Sequence, residues 1–313
     1  MVALAARRLL SMIPILIIVS VIVFALGQLI PGDPAVALAG EQASAELIEQ
    51  IRQQLGLDRP LWEQYGSWLA GAATGDLGNS LQTGRSVTTE VLGSLPKTLF
   101  LVFASLIVAV VVGGALGTIA AVRPHSVADR IVSALASFFV SVPSFVFALV
   151  LVAVFSIGLG VLPATGFRLP QDGLGDAIRF VLLPSIALGL GSAGEFAFQV
   201  RSAVRASLGS ESTLALQSRQ ISRGSIIFKH GLRNAAIPLT TVLALIFNHI
   251  LGAAVVVEII FAIPGIGALA VSAVTNSDLP MIQGVVIVFA VLTLLANLIS
   301  DLLYGILDPR VRS

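Results

Sequence analysis

The stretch LLSMIPILIIVSVIVFALGQLI, residues 9–30, is uncharged over the length that a bilayer-spanning helix needs, about 20 residues. It follows the basic pair Arg7 and Arg8, as the apolar core of a secretory signal would. Such a core is shorter and ends at a cleavage site of small residues, whereas PGDP (residues 31–34) follows here. The stretch therefore predicts an uncleaved first membrane span.

The composition of the whole chain is typical of an integral membrane protein. Of its 313 residues, 56% are hydrophobic and only 11% are charged, whereas soluble domains carry roughly a quarter charged residues. A soluble protein of this composition would expose apolar patches large enough to aggregate. The net charge of +1 indicates no nucleic-acid partner, and the absence of cysteine excludes disulfides and thiolate metal sites. No metal, cofactor or catalytic site is predicted in this chain.

The apolar runs predict an all-α fold with six membrane spans, because a spanning helix satisfies its own backbone polar groups. The runs lie at residues 9–30, 98–122, 131–159, 180–200, 239–258 and 281–303. The third run extends beyond one straight span, and Pro143 in SVPSF predicts a kink within it. Counting that run as two spans would place the chain ends on opposite sides of the membrane.

Charge placement favours six spans with both termini in the cytoplasm, since Lys and Arg collect on the cytoplasmic side of membrane proteins. That topology places the following residues inside: Arg7, Arg8, Arg123, Arg130, Arg201, Arg205, Arg219, Arg223, Lys229, Arg233, Arg310 and Arg312. The outer segments are longer in total and hold fewer: Arg52, Arg59, Arg85, Lys97, Arg168 and Arg179. A seventh span would weaken this asymmetry.

The chain is expected to divide into three parts: residues 1–30 with the first span, an outer loop over residues 31–97, and a core of five spans over residues 98–313. The loop predicts an amphipathic helix over residues 43–55 and a second helix that Pro60 opens. Trp62, Tyr65 and Trp68 follow at three-residue spacing, near one face of the second helix. We expect these rings either to lie at the outer membrane interface or to pack within the loop.

No catalytic motif accounts for the chain. Its two lysines, Lys97 in GSLPKT and Lys229 in FKHG, do not fit G-x-x-x-x-G-K-[ST], so no ordinary ATP site is predicted. An intramembrane serine protease would need a serine beside a histidine base, for which Ser192 and His249 are candidates. However, small residues such as those of GLGSAG (residues 189–194) are more typical of close helix packing. A proton-coupled carrier would need a relay of intramembrane carboxylates or histidines, and these are few and scattered here.

Polar residues within the spans are costly in a membrane, so they usually face a cavity or a partner. The candidate pathway or gate residues are Glu195, Asn248, His249 and Glu258. A structural role is the alternative for them, such as an ion pair close to the inner surface or a packed, hydrogen-bonded histidine.

The segment between the fourth and fifth spans, residues 201–238, gathers basic residues but also keeps apolar side chains. Ser210 and Glu211 predict the start of a short helix, ISRG (residues 221–224) predicts a turn, and SIIFKHGLRNAAIP begins another helix. A loop that only orients the protein needs charge but no apolar residues between helix signals. The pattern therefore indicates a docking surface for a soluble partner.

Taken in order along the chain, many short motifs resemble the permease subunits of the dipeptide/oligopeptide/nickel group of ABC importers, over nearly the whole length. They are ARRLLSMIPILIIVSVIVFAL with PGDP, QLGLDRPLWEQYGSWL, GDLGNSLQTGRSV, LPKTL, SVPSF, LLPSIALGL, HGLRNAAIP, GAAVVVEIIFAIPGIG, DLPMIQGVV and DLLYGILDPRVR. One run departs from the family: STLALQSRQ (residues 212–220) stands where the family usually has a tyrosine-bearing, alanine- and arginine-rich run that ends in glycine. Gln220 stands where the family has glycine, and because glutamine resists positive φ the local turn is expected to differ.

The resemblance implies a subunit of the bacterial inner membrane with the type I importer permease fold, working by alternating access and not itself an enzyme. Its partners would be a second homologous permease, two ATPase subunits or domains that bind ATP and Mg, and an extracytoplasmic binding protein, which the outer loop would contact. Di- or oligopeptides are the expected substrates, with nickel chelates, glutathione-like compounds and oligosaccharides as alternatives. The implied ATPase-coupling residues are Glu211, Gln220, Ile221, Ser222, Arg223, Ile226, Phe228, Lys229, His230, Arg233 and Asn234.

Overall fold

The computed structural model describes residues 2–28, 34–40, 43–210, 213, 221–227 and 232–307. The α-helices of these residues are α1 (Val2–Gly27), α2 (Pro34–Ala39), α3 (Ala45–Gln54), α4 (Leu61–Thr74), α5 (Val87–Val122), α6 (Val127–Ser141), α7 (Ser144–Leu151), α8 (Leu174–Leu208), α9 (Arg223–Ser225), α10 (Leu232–Ile260), α11 (Ile266–Thr275) and α12 (Leu279–Leu307). A π-helical stretch continues α7 over Val152–Gly158, and a 3₁₀ turn covers Pro170–Asp172. No β-strand occurs in these residues, only an isolated bridge between Asn79 and Ser86.

Five of the described helices are long and apolar enough to cross a membrane: α1, α5, α8, α10 and α12. Helices α6 and α7 qualify together as a sixth span, bent by 96° between Ser141 and Ser144. The predicted all-α membrane fold is therefore confirmed, with five spans, or six when the pair broken at Pro143 is counted as one. Two helices begin earlier than predicted, at Val87 and Leu174, because backbone hydrogen bonding continues beyond the apolar stretch that hydropathy marks.

Helix α8 is the central helix of the first of two compact units, which comprises Met1–Ala5, Lys97–Ile263 and Leu295–Ser313. It packs against α6, α7 and α10. In its most apolar window 61% of the residues are buried, against 11% to 33% in the other single spanning helices. A helix so enclosed meets little lipid, which explains why it tolerates the Gly- and Ser-rich stretch at residues 189–194.

Glycines bring α8 into backbone contact with its neighbours. A Cβ atom on Gly117 of α5 would lie 2.5 Å from the carbonyl oxygen of Ala197, and one on Gly194 of α8 would lie 2.5 Å from that of Ala136 in α6. At Gly189 the nearest atom would be the carbonyl oxygen of Ser105, at 2.7 Å. Small residues are the usual means by which membrane helices approach this closely, as the sequence pattern predicts.

The second unit comprises Ala6–Pro96 and Pro264–Leu294. Its buried apolar cluster consists of Leu77, Val87, Val91, Ile266, Ala273, Met281 and Val285. The two predicted loop helices are confirmed here. The Oγ of Ser44 accepts a hydrogen bond from the amide of Leu47 and so caps α3, and Pro60 directly precedes α4.

Asp278 joins the loop before α5 to the turn before α12 within this unit. The Ser80 hydroxyl donates to Asp278 Oδ2, and the Leu81 amide donates to Oδ1 at 3.2 Å. Asp278 also accepts from the Met281 amide at 3.4 Å, which caps the start of α12. Ser80 and Asp278 are both buried, so the carboxylate has exchanged water for these protein donors.

Replacing Asp278 by alanine is expected to lower the free energy of unfolding by about 1–3 kcal/mol, because the Ser80 hydroxyl would lose its buried acceptor. Thermal denaturation of the detergent-purified protein measures the effect. The control is Asp58→Ala, at an exposed carboxylate of the same unit. Equal melting temperatures for the two variants would show that the Asp278 contacts do not stabilise this unit.

Candidate coupling and translocation sites

An ion pair fixes the end of α8 that leads into the segment over residues 201–238. Arg201 Nη2 lies 2.8 Å from Asp129 Oδ1 and donates a hydrogen bond to Oδ2 at 2.9 Å. Asp129 is buried at the start of α6, where it also accepts from the His125 amide at 3.0 Å, while the Ser126 Oγ caps the helix. Because a buried carboxylate needs such partners, this contact holds the base of the segment against the α5–α6 turn.

Beyond Arg201, apolar side chains pack the described part of the segment within the first unit. Ile226 and Ile227 are buried, with exposed fractions of 3% and 8%. Together with Ile221 and Leu208 they line a cavity of about 580 Å³. The amide of Ile226 donates to the carbonyl of Ser222 at 3.0 Å, which closes a helical turn at α9. The structure therefore gives Ile226 an anchoring contact inside the chain itself.

The structure describes only some of the other predicted coupling residues. Ser222 is exposed, and its Oγ accepts from the Ser225 amide at 3.4 Å. Arg223, Arg233 and Asn234 are described by their backbone alone. The predicted positions Glu211, Gln220, Phe228, Lys229 and His230 lie outside the described residues.

Two of the four candidate pathway residues, Glu195 and His249, are exposed on membrane-spanning helices, and Asn248 is half-buried. His249 Nδ1 of α10 lies 3.8 Å from Glu195 Oε2 of α8, and these side chains are 63% and 47% exposed. Asn248 Nδ2 donates to Asn297 Oδ1 of α12 at 3.1 Å. Exposing the Glu195 carboxylate to lipid would be costly. The face of α8 and α10 that bears Glu195 and His249 therefore needs water or another protein beside it. Asn297 was missed at the sequence level, because an isolated asparagine in an apolar run carries no motif.

Glu258 differs from the other three because it is fully buried. Its Oε1 accepts a hydrogen bond from the Thr98 hydroxyl at 2.6 Å, which joins α10 to α5. A buried carboxylate bound in this way ties helices together within the unit.

A small cavity lies at the break between α6 and α7. Its volume is about 120 Å³, and its lining includes Pro143 and Ser144 at the break, Ser192 and Glu195 of α8, and His249 of α10. No hydrogen bond joins Ser192 to His249 in the described residues, and a nucleophile needs its base within about 3.2 Å.

The three aromatic residues of α4 divide into two groups. Tyr65 and Trp68 pack on Phe24 of α1, with ring centroids 5.5 and 6.1 Å from it, and the Tyr65 and Ser20 hydroxyls are hydrogen-bonded at 2.9 Å. Trp62 is 74% exposed. Packing within the unit thus involves two of the rings, and Trp62 is available for a membrane surface or a partner.

Comparison with known sequences accounts for these features together. A family profile described as "Binding-protein-dependent transport system inner membrane component" matches residues 113–313, and the corresponding N-terminal profile matches residues 1–102. The chain belongs to this family. It is a permease of an ABC importer and a multi-pass protein of the inner membrane.

Individual relatives in this family resemble the chain along almost all of its length. The glutathione transport system permease protein GsiC of Escherichia coli O6:H1 (strain CFT073) is 39% identical over 306 residues, covering 98% of this chain and 97% of the relative. GsiC of Escherichia coli K12 is 38% identical over the same length. Among solved structures, an inward-facing MetNI methionine ABC transporter chain matches with a TM-score of 0.57 and 18% identity, covering 70% of this chain and 96% of that one. This last likeness supports the fold alone.

Proposed function

We propose that this permease carries small peptides, with glutathione-type tripeptides as the leading substrate. The observation that carries this proposal is the similarity to GsiC, which extends over 98% of the chain at 38–39% identity. Nickel chelates and oligosaccharides are the competing substrate classes. The relatives described above are glutathione permeases, which favours the peptide class.

The translocation pathway runs along the face that bears Glu195, His249 and Asn248. The Glu195 and His249 side chains project from α8 and α10 and are 47% and 63% exposed, and Asn248 of α10 donates to Asn297 of α12. A second homologous permease facing this surface would enclose a polar route and remove the cost of exposing a carboxylate to lipid. The proposed importer is therefore a pair of permeases with the substrate between them.

Energy for transport comes from two partner ATPase subunits or domains, which bind ATP and Mg, and not from this chain. The segment over residues 201–238 receives their movement. Its base is fixed by the Arg201–Asp129 pair, and its middle is anchored through the buried Ile226. ATP binding shifts the importer between inward- and outward-open states by stabilising one of them more than the other.

The orientation follows from charge. The positive residues that collect between spans place both termini and residues 201–238 in the cytoplasm. Residues 31–97, which include the exposed Trp62, then lie outside, where an extracytoplasmic binding protein would deliver the substrate.

The test is substrate uptake by the complete importer. The chain is co-expressed with the subunits encoded beside it, reconstituted in proteoliposomes and supplied with its binding protein and internal ATP. We expect uptake of labelled glutathione and of a dipeptide, and none of a nickel–histidine chelate or maltotriose. A complex with an ATPase that cannot hydrolyse ATP is the control for leakage. Uptake of the chelate or the sugar without any peptide would show that the proposed substrate class is wrong.

A further inference from the structure

The cavity at the α6–α7 break has the size of a chemical group, not of a whole substrate. Its volume is about 120 Å³. Pockets that enclose a drug-sized ligand measure about 300–1,000 Å³. A tripeptide therefore cannot enter it completely, but one polar end of a peptide can.

One wall of the cavity is the start of a helix that lies in the membrane. α7 begins at Ser144 after Pro143, and no side chain caps it. The first amides of a helix have no acceptor inside the helix, and its positive end favours an anion. Broken membrane helices use such ends to hold anionic groups of substrates. Pro143 and Ser144 both line the cavity, so this helix start borders it.

Ser192 is a second and independent sign of a ligand. It is only 2% exposed, it lines the cavity, and its hydroxyl has no hydrogen-bond partner among the described residues. The other buried serines of this unit each donate to a backbone carbonyl: Ser185 to Leu182 at 3.0 Å, Ser105 to Leu101 at 2.8 Å and Ser300 to Thr240 at 3.0 Å. Ser192 departs from this pattern, and its hydroxyl is left for a group that enters the cavity.

The lining of the cavity also includes two groups that suit a cation. Glu195 and His249 face each other at 3.8 Å, which is beyond the usual length of a direct hydrogen bond. An ammonium group has three donors and can bond to a carboxylate and a neutral imidazole at the same time. Leu188, Ser192 and Glu195 recur at helical spacing along one face of α8, so the hydroxyl and the carboxylate point into the same space.

We propose that this cavity binds an α-amino-acid head, in which an ammonium and a carboxylate share one carbon atom. The ammonium bonds to Glu195 and His249, and the carboxylate bonds to Ser192 and the α7 amides. Glutathione presents this head at its γ-glutamyl end, whereas an ordinary α-linked peptide has an amide carbonyl where the carboxylate would be. The site therefore selects γ-glutamyl peptides within the pathway. This inference rests on the proposed peptide import.

The test compares two isomers of equal composition and charge, γ-Glu-Cys-Gly and α-Glu-Cys-Gly. Each is added to the assembled, nucleotide-free importer in nanodiscs without the binding protein, so that only the membrane complex can discriminate between them. Binding is measured by saturation-transfer NMR. We expect the γ isomer to bind more tightly, Glu195→Gln to weaken it by about tenfold to a hundredfold, and Ser192→Ala by about threefold to tenfold. Both variants should reduce the preference for the γ isomer.

Matched controls separate recognition from folding. Ser185→Ala removes a buried hydroxyl from the same helix but away from the cavity, and Glu46→Gln removes an exposed carboxylate from α3. Both should bind as the unchanged protein does. Two results would show that the proposed site is wrong while the importer function stands. In the first, the unchanged importer takes up glutathione but binds both isomers equally; in the second, the site variants still prefer the γ isomer. If no peptide is taken up by the complete system, the proposed substrate class and this site are both wrong.

Discussion

Replacing Gly194 by valine is expected to destabilise the permease by about 3 kcal/mol or more, a cost at the upper end of that for overpacking. A Cβ atom at this position would lie 2.5 Å from the carbonyl oxygen of Ala136 and 2.9 Å from a methyl carbon of Val140. The first of these atoms belongs to the α6 backbone, so relief requires a shift of α6 against α8. Because α8 is the central helix of its unit, that shift would also disturb α7 and α10.

The measurement is the thermal stability of the purified importer, followed as loss of its monodisperse elution on heating. We expect the midpoint to fall by roughly 6 °C or more. Gly252→Val is the matched control, because a Cβ atom there would meet nothing within 4 Å although α10 also packs on α8. Equal midpoints for the two variants would mean that the helices separate easily and that close approach at Gly194 does not stabilise the bundle.

The features that the sequence predicts correctly are those that neighbouring residues determine. A run of about 20 apolar residues marks a span wherever it lies, and a proline inside such a run removes one backbone donor. The spanning helices, the break at Pro143 and the two helices within residues 31–97 follow from such local signals. Helix limits were less accurate, since α5 begins at Val87 and the short apolar helix α11 was not predicted.

Pairings between distant residues could not be predicted in the same way. Glu195 and His249 were both candidates, but their contact depends on how α8 and α10 are rotated about their own axes. The same holds for Arg201 and Asp129, which are 72 residues apart in the sequence. The sequence made Glu258 and Glu195 equal candidates for the pathway. In the structure Glu258 is fully buried, whereas the Glu195 side chain is 47% exposed.

Helix α8 links the two candidate sites. Glu195 borders the small cavity, and Arg201 holds the base of the coupling segment, only six residues or about 9 Å further along the same helix. A rigid helix transmits a displacement at one end to the other, so that movement of the segment would change the surroundings of the cavity. We therefore expect transport to depend on the anchoring of the segment to the permease as well as on its proposed contact with the ATPase.

Ile226→Asp is expected to abolish this anchoring. The side chain is 3% exposed, and a carboxylate in its place would be buried beside apolar residues without a partner. We expect ATP hydrolysis that the binding protein stimulates to fall by about tenfold or more, since the cost of burying an unpaired charge exceeds 1.4 kcal/mol, the equivalent of a factor of ten. Hydrolysis by the importer in nanodiscs, with and without the binding protein, measures this coupling.

The matched control places the same charge two residues away, at Gly224, which is exposed and where a Cβ atom would meet nothing within 4 Å. If Gly224→Asp leaves stimulation intact while Ile226→Asp removes it, the buried contact is required, because charge on the segment surface does no harm. The opposite pattern would mean that the exposed surface of the segment carries the coupling and that Ile226 is dispensable. Co-purification of the ATPase with both variants shows whether coupling was lost within an assembled importer or through dissociation.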